Sequence, residues 1–296
     1  MKSFVLVLAL GILVGCGGAP EPVVEAPQAP PALVPGPGMA TAPDGLSIAY
    51  TVAGSGSPAL VFVHGWMCDQ TFWSEQVEAF APSNTVVTID LGGHGLSGMD
   101  RDEWPLLSLG ADIVAVVEKL DLEEVIVIGH SMGGPMALEA ARLMPDRVIG
   151  VVGVDTLQDA DFKYEPGQAE AFVEAFTQDF VAACTQFSTS MFAEGVDPAL
   201  VERVRTDMCD GNPEIGVTLM SQYSQYDLGA ALAAVTIPVK CINADLWATN
   251  IEANRTYNET FDAVIVEGVG HFLMMEDPEG FNAILKTMVA EISTPG

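Results

Sequence analysis

The segment Glu124-Val-Ile-Val-Ile-Gly129-His130-Ser131-Met132-Gly133-Gly134 constrains this chain more than any other stretch. Its β-branched run lacks polar alternation, which fits a strand covered on both faces of a parallel sheet. A helical pattern follows over Met132–Leu143. Between the two, G-x-S-x-G demands a sharp turn that lifts the Ser131 hydroxyl above the sheet, flanked by small residues so that backbones can approach. A bare G-x-S-x-G arises easily by chance. A strand before it and a helix after it make it specific. The start of that helix aims its dipole and its free N–H groups at Ser131, where they favour a developing oxyanion.

The same alternation runs through the rest of the chain. Strand-like runs lie at Leu46–Val52, Ala59–Val63, Thr85–Ile89, Glu124–Ile128, Val148–Val154, Pro238–Ile242 and Ala263–Glu267. Helical periodicity fits Thr71–Phe80, Leu106–Leu120, Met132–Leu143 and Pro278–Ile292. The fold class read from this pattern is α/β, a doubly wound and mostly parallel sheet with ligands at the carboxyl ends of its strands. Between Leu157 and Ala234 the strand signal vanishes, and Phe172, Phe176 and Phe180 recur every fourth residue. That spacing predicts one amphipathic helix, with further helices around Pro198–Met208 and Pro213–Tyr226, hence an inserted all-helical lid. Most of the phenylalanines there are read as the core of the lid itself.

Val61-Phe62-Val63-His64-Gly65-Trp66 places a His-Gly pair at another strand end. There the N–H of Trp66 can meet that of Met132 in a two-donor oxyanion hole. With these residues in view, the sequence resembles the α/β-hydrolase superfamily over about residues 44–292. Asp90-Leu-Gly-Gly-His94-Gly-Leu-Ser97 is similar to the family loop that lines the pocket without doing chemistry.

A general base must come from a late histidine. His271 lies in Glu267-Gly-Val-Gly-His271-Phe, directly after the last strand, and matches the family's histidine motif. His64 and His94 belong to turns, and His130 adjoins the nucleophile but is expected to point elsewhere. The resemblance implies an acid after the seventh strand, yet Trp247 stands where it belongs and Asp245 comes two residues early. The family's second solution, an acid after the sixth strand, is met by Asp155 in Gly153-Val-Asp155-Thr-Leu. Asp155 is therefore the preferred acid and Asp245 the alternative. Either keeps the order Ser, Asp, His.

At the N-terminus Lys2 precedes an apolar stretch from Phe4 to Val14, the mark of a secretory signal. Leu13-Val14-Gly15-Cys16 resembles the lipobox of bacterial lipoproteins, which implies acylation of Cys16. Gly17, where an Asp would resemble a retention signal, leans towards the outer membrane. Residues 17–38 carry seven prolines and four glycines, too little apolar surface to fold. At ~3.1 Å per residue this spacer could hold the body ~70 Å from its anchor. The expected organisation is a signal peptide over 1–15, a tether over 16–39, a hydrolase core over 40–157 and 235–296, and the lid over 158–234. The location expected is the bacterial cell envelope, facing periplasm or exterior. In that oxidising compartment Cys184 and Cys209 could pair, while Cys68 and Cys241 read as buried thiols.

A formal net charge of −29 repels nucleic acid and anionic surfaces, and argues against phosphorylated substrates. No C-x-x-C or His-rich spacing points to a metal, and no cofactor is called for. A serine nucleophile, a histidine base and a two-donor hole describe acyl transfer to water. The substrate expected is a small, neutral, moderately apolar carboxylic ester. The alternatives are an amidase or iminopeptidase, a cofactor-free haloperoxidase, a carbon–carbon hydrolase, or a ligand-sensing fold without turnover.

Overall fold

A computed structural model describes residues 33–294. In chain order come β1 (Gly36–Thr41), β2 (Ser47–Ala53), β3 (Ala59–Val63), α1 (Ser74–Phe80), β4 (Val86–Ile89), α2 (Ser108–Lys119), β5 (Val125–His130), α3 (Gly133–Leu143) and β6 (Val148–Val154). Five helices follow: α4 (Gln168–Gln178), α5 (Phe180–Thr189), α6 (Pro198–Cys209), α7 (Pro213–Tyr223) and α8 (Leu228–Ala233). The chain then returns through β7 (Val239–Ala244), α9 (Ile251–Tyr257), β8 (Asp262–Val266), α10 (Leu273–Glu276) and α11 (Pro278–Ile292). A single eight-stranded sheet has the order β1-β2-β4-β3-β5-β6-β7-β8. Its first two pairings are antiparallel and the rest parallel, the doubly wound arrangement expected.

Every residue of β3, β4 and β5 is buried, as their unbroken apolar runs require. Covering such a Val or Ile contributes about 1.5–3 kcal/mol each, enough to hold these strands at the centre of the sheet. Register then fixes the site. Val63 pairs with Gly129 and His130 with Val154. The residues that follow β3, β5 and β6 therefore leave the sheet side by side at its carboxyl edge.

Two expectations need correction. The tether expected over 16–39 ends sooner, because Gly36–Thr41 pairs with β2 as an edge strand. Its Gly-Pro-Gly start hides this. A Cβ on Gly38 would lie 2.4 Å from the Tyr50 ring, so the glycine makes room for Tyr50, and proline is tolerated at an edge. The tether residues before 33 and Cys16 lie outside the described residues. The second correction concerns Phe172, Phe176 and Phe180, read as one helix. The chain breaks at Asp179, whose carboxylate accepts the Ala182 N–H at 3.1 Å and starts α5.

The insertion docks on the core through Trp66. Its indole packs against Phe176, Phe180 and Phe187 at centroid distances of 5.4, 5.9 and 6.1 Å, and Nε1–H donates to Gly216 O at 2.8 Å. The phenylalanines thus serve the junction with the sheet as well as the insertion's interior. Cys184 on α5 and Cys209 on α6 form a disulfide. Among the described residues no helix is long and apolar enough to cross a membrane.

Candidate active site

Ser131 sits between β5 and α3 with φ +52°, a left-handed conformation that costs a non-glycine residue about 1–3 kcal/mol and recurs at functional turns. The surroundings hold it there. Ser131 N–H donates to Val154 O at 3.0 Å, and Ser131 O accepts from Thr156 Oγ1 at 2.7 Å. The glycines are required by space. A Cβ on Gly129 would come within 2.2 Å of Gly133 O, and one on Gly133 within 2.6 Å of His64 O. A Cβ on Gly65 would meet Ser131 Cβ at 3.0 Å, which shows how closely the turn after β3 approaches the serine.

Asp155 leaves β6 with φ +43° and is 1% exposed. Its Oδ1 accepts the Ala244 N–H at 2.9 Å, and its Oδ2 accepts the His271 Nδ1–H at 2.5 Å. Asn243 fixes the next residue from both sides, accepting Thr156 N–H at 3.1 Å and donating to Thr156 O at 3.0 Å. Asp245 is elsewhere. It is exposed, and its Oδ1 accepts the Gly268 N–H at 3.3 Å. Trp247 instead stands edge-on to the His271 ring, 5.4 Å away.

His271 is buried, and its backbone is tied at both ends. Its N–H donates to Met191 O at 2.7 Å, and its carbonyl accepts His130 Nε2–H at 3.0 Å. The expectation that His130 points elsewhere is therefore corrected, because its ring lies 4.5 Å from that of His271. Burial, reinforced by His271 close by, holds the His130 pKa well below its ordinary 6.5, so that ring stays neutral. With Nε2 as the donor, Nδ1 is a buried acceptor that has no partner among the described residues.

Gly65, Trp66, His130, Ser131, Met132 and His271 line one cavity of about 50 Å³. Its remaining wall is apolar: Phe187, Met191, Met208, Met220, Tyr223 and Phe272, with Cys68. Burial drives the Tyr223 hydroxyl up to about 12 and the Cys68 thiol well above its ordinary value, so both are uncharged at neutral pH. The cavity thus brings together Ser131, His271 and the two residues expected to supply oxyanion donors. Asp155 stands behind His271. Asn243 and His130, which carry the support, were not found by sequence reasoning. Only His130 offered a signal, its place beside the serine.

Residues 58–194 match the family model described as the alpha/beta hydrolase fold. The 3-oxoadipate enol-lactonase 2 of Acinetobacter baylyi is 25% identical over 238 residues, spanning 78% of this chain and 88% of that protein. The dihydrolipoyllysine-residue acetyltransferase component of the acetoin cleaving system of Pseudomonas putida is 32% identical over 156 residues. That match spans 52% of this chain and only 40% of the relative. Among solved structures, a bromoperoxidase from Bacillus anthracis superposes with a TM-score of 0.77 at 22% identity, covering 86% of this chain and 99% of that one. Strand order, the turn at Ser131 and the family match agree: this chain has the α/β-hydrolase fold.

Proposed function

We propose that this chain is a serine hydrolase that cleaves a small, neutral, moderately apolar carboxylic ester through an acyl-enzyme on Ser131. The observation that carries the reading is a buried His271–Asp155 pair whose histidine lines one cavity with Ser131. In the first half-reaction Ser131 Oγ attacks the ester carbonyl carbon while His271 Nε2 takes its proton. The carbonyl electrons move onto oxygen, which meets the N–H groups of Trp66 and Met132. As the intermediate collapses, the C–O bond to the alcohol breaks and His271 returns the proton to the leaving alkoxide. Water repeats the sequence on the acyl group, releasing acid and free Ser131. Asp155 remains ionised, holds the imidazole tautomer and stabilises the imidazolium.

The cavity supports the substrate class. The cavity is small, about 50 Å³, and apolar over most of its wall, which favours a short acyl chain. Four methionines in its wall, Met132, Met191, Met208 and Met220, provide an adaptable apolar lining. A net charge of −29 disfavours anionic substrates. The similarity to a lactonase is in keeping with ester chemistry. The test is a panel of p-nitrophenyl esters of rising acyl length offered to the full-length chain. The reading expects turnover of acetate to butyrate, falling steeply beyond. Turnover of an amide series in preference to the esters, or binding without turnover, contradicts it.

The reading includes a location, the bacterial cell envelope, reached through acylation of Cys16. The Cys184–Cys209 disulfide supports it, since such bonds persist in oxidising compartments. Mass spectrometry of the mature N-terminus tests it. A lipid-modified Cys16 is expected, and an unmodified N-terminus at another cleavage point contradicts it.

A further inference from the structure

The loop that carries His271 is held by a carboxylate outside the cavity. Glu276 Oε2 accepts the Gly270 N–H at 2.8 Å, and its Oε1 accepts the Phe272 N–H at 3.3 Å. These are the residues immediately before and after the base. The same Oε2 accepts the Ala193 N–H at 3.4 Å, and His271 N–H donates to Met191 O at 2.7 Å. Met191 and Ala193 lie on the arc between α5 and α6, whose helices are joined by Cys184–Cys209. Gly270 marks how tightly the parts close. A Cβ there would lie 2.4 Å from Met191 O, 2.7 Å from Ala193 N and 2.7 Å from Glu276 Oε1.

From this geometry we propose that Glu276 is a positioning residue for His271, one half of a clamp whose other half is the disulfide-tied arc at Met191–Ala193. The proposal rests on the hydrolase reading above. A carboxylate suits the task because two oxygens meet three backbone donors, and ionised acceptors make stronger hydrogen bonds than neutral ones. Without it, N–H groups on both sides of the base lose their acceptor. The imidazole then wanders from the orientation that Ser131 needs, and a misplacement of ~1 Å costs on the order of 10²-fold in rate.

The full-length chain with Glu276→Gln and Glu276→Ala tests this by two readouts. One is the kinetic split. The expected kcat order is wild type, Gln, Ala, with Ala down about 10- to 100-fold and KM within about twofold. The other is the far-downfield proton resonance of the Nδ1–H shared by His271 and Asp155, which should shift and broaden in the same order. It needs no turnover, so it separates this inference from the hydrolase reading. Loss of activity in Ser131→Ala with an unchanged Glu276→Ala would sink the clamp alone. A Cys184→Ser/Cys209→Ser pair should lower kcat in the wild-type background and add little to Glu276→Ala, because both act on one unit. Full additivity, or a wild-type kcat and resonance in Glu276→Gln and Glu276→Ala alike, overturns the proposal.

Discussion

His271 Nδ1 lies 2.5 Å from Asp155 Oδ2, a contact between residues 116 positions apart in sequence. It exists because β6, β7 and β8 are parallel neighbours whose carboxyl ends lie side by side, and because Asp155 bends out of its strand with φ +43°. Asp155→Asn should therefore cut kcat on the order of 10³–10⁴-fold, the loss expected when the imidazole is left in the wrong tautomer. Asp245→Asn should stay within about twofold, since among the described residues its carboxylate meets only the Gly268 N–H. Steady-state kinetics of both variants decide the matter. The reverse pattern would move the acid to β7.

Cavity size makes a prediction about acyl length. Met220 lines the cavity and is buried, so Met220→Ala enlarges the space next to Ser131. The ratio of kcat/KM for a hexanoate over an acetate ester should rise by about 10-fold or more, the scale on which added methylenes are discriminated. An unchanged ratio would mean that the acyl group lies elsewhere.

Buried histidines set an acid limit on stability. Burial, aided by His64 close by, lowers His94 from 6.5 to about 3, and the folded protein keeps it neutral. Below pH 6.5 the unfolded chain binds a proton that the folded one refuses, so stability falls as pH falls, by up to ~1.4 kcal/mol per unit. Between pH 7 and 5 wild type should lose about 2 kcal/mol more than His94→Asn, whose amide can still donate to Gly92 O. Urea unfolding at the two pH values provides the comparison. Parallel losses would refute this account.

The disulfide closes a span of 25 residues across α5 and α6. Loop-closure entropy assigns such a link about 3.5 kcal/mol. Reductant should lower the unfolding midpoint of wild type and leave that of Cys184→Ser/Cys209→Ser unmoved. A midpoint insensitive to reductant in both would show that the link contributes nothing measurable.

The sheet was legible where burial dictated composition. β3, β5 and β6 are continuous apolar runs because they are covered on both faces, and their ends could be placed to within two residues. β1 was not, since Gly36-Pro37-Gly38 has the composition of a spacer and becomes a strand only by lying against Tyr50. The break at Asp179 was hidden for a related reason: the phenylalanine spacing runs on across it, and only the cap interrupts the helix. In the site, Ser131 and Asp155 stand at strand ends and His271 on the loop after the last strand, places that sequence can locate. Glu276 and Asn243 act on backbone N–H and C=O groups from elsewhere in the fold, and such partners leave no mark on residue spacing. His130 was visible but misdirected, because the orientation of a ring at a strand end follows from what packs there, here His271 and Phe272.

Ser131 is the proposed nucleophile, and every other role in the site depends on it. Treating the full-length chain with a fluorophosphonate, and reading the adduct by peptide mass spectrometry beside ester turnover, tests it most directly. The account predicts one phosphonyl group on the peptide containing Ser131, none in Ser131→Ala, and a loss of turnover on the order of 10³-fold or more in that variant with its fold intact. An unlabelled Ser131 in active protein, or near wild-type turnover in Ser131→Ala, would contradict it.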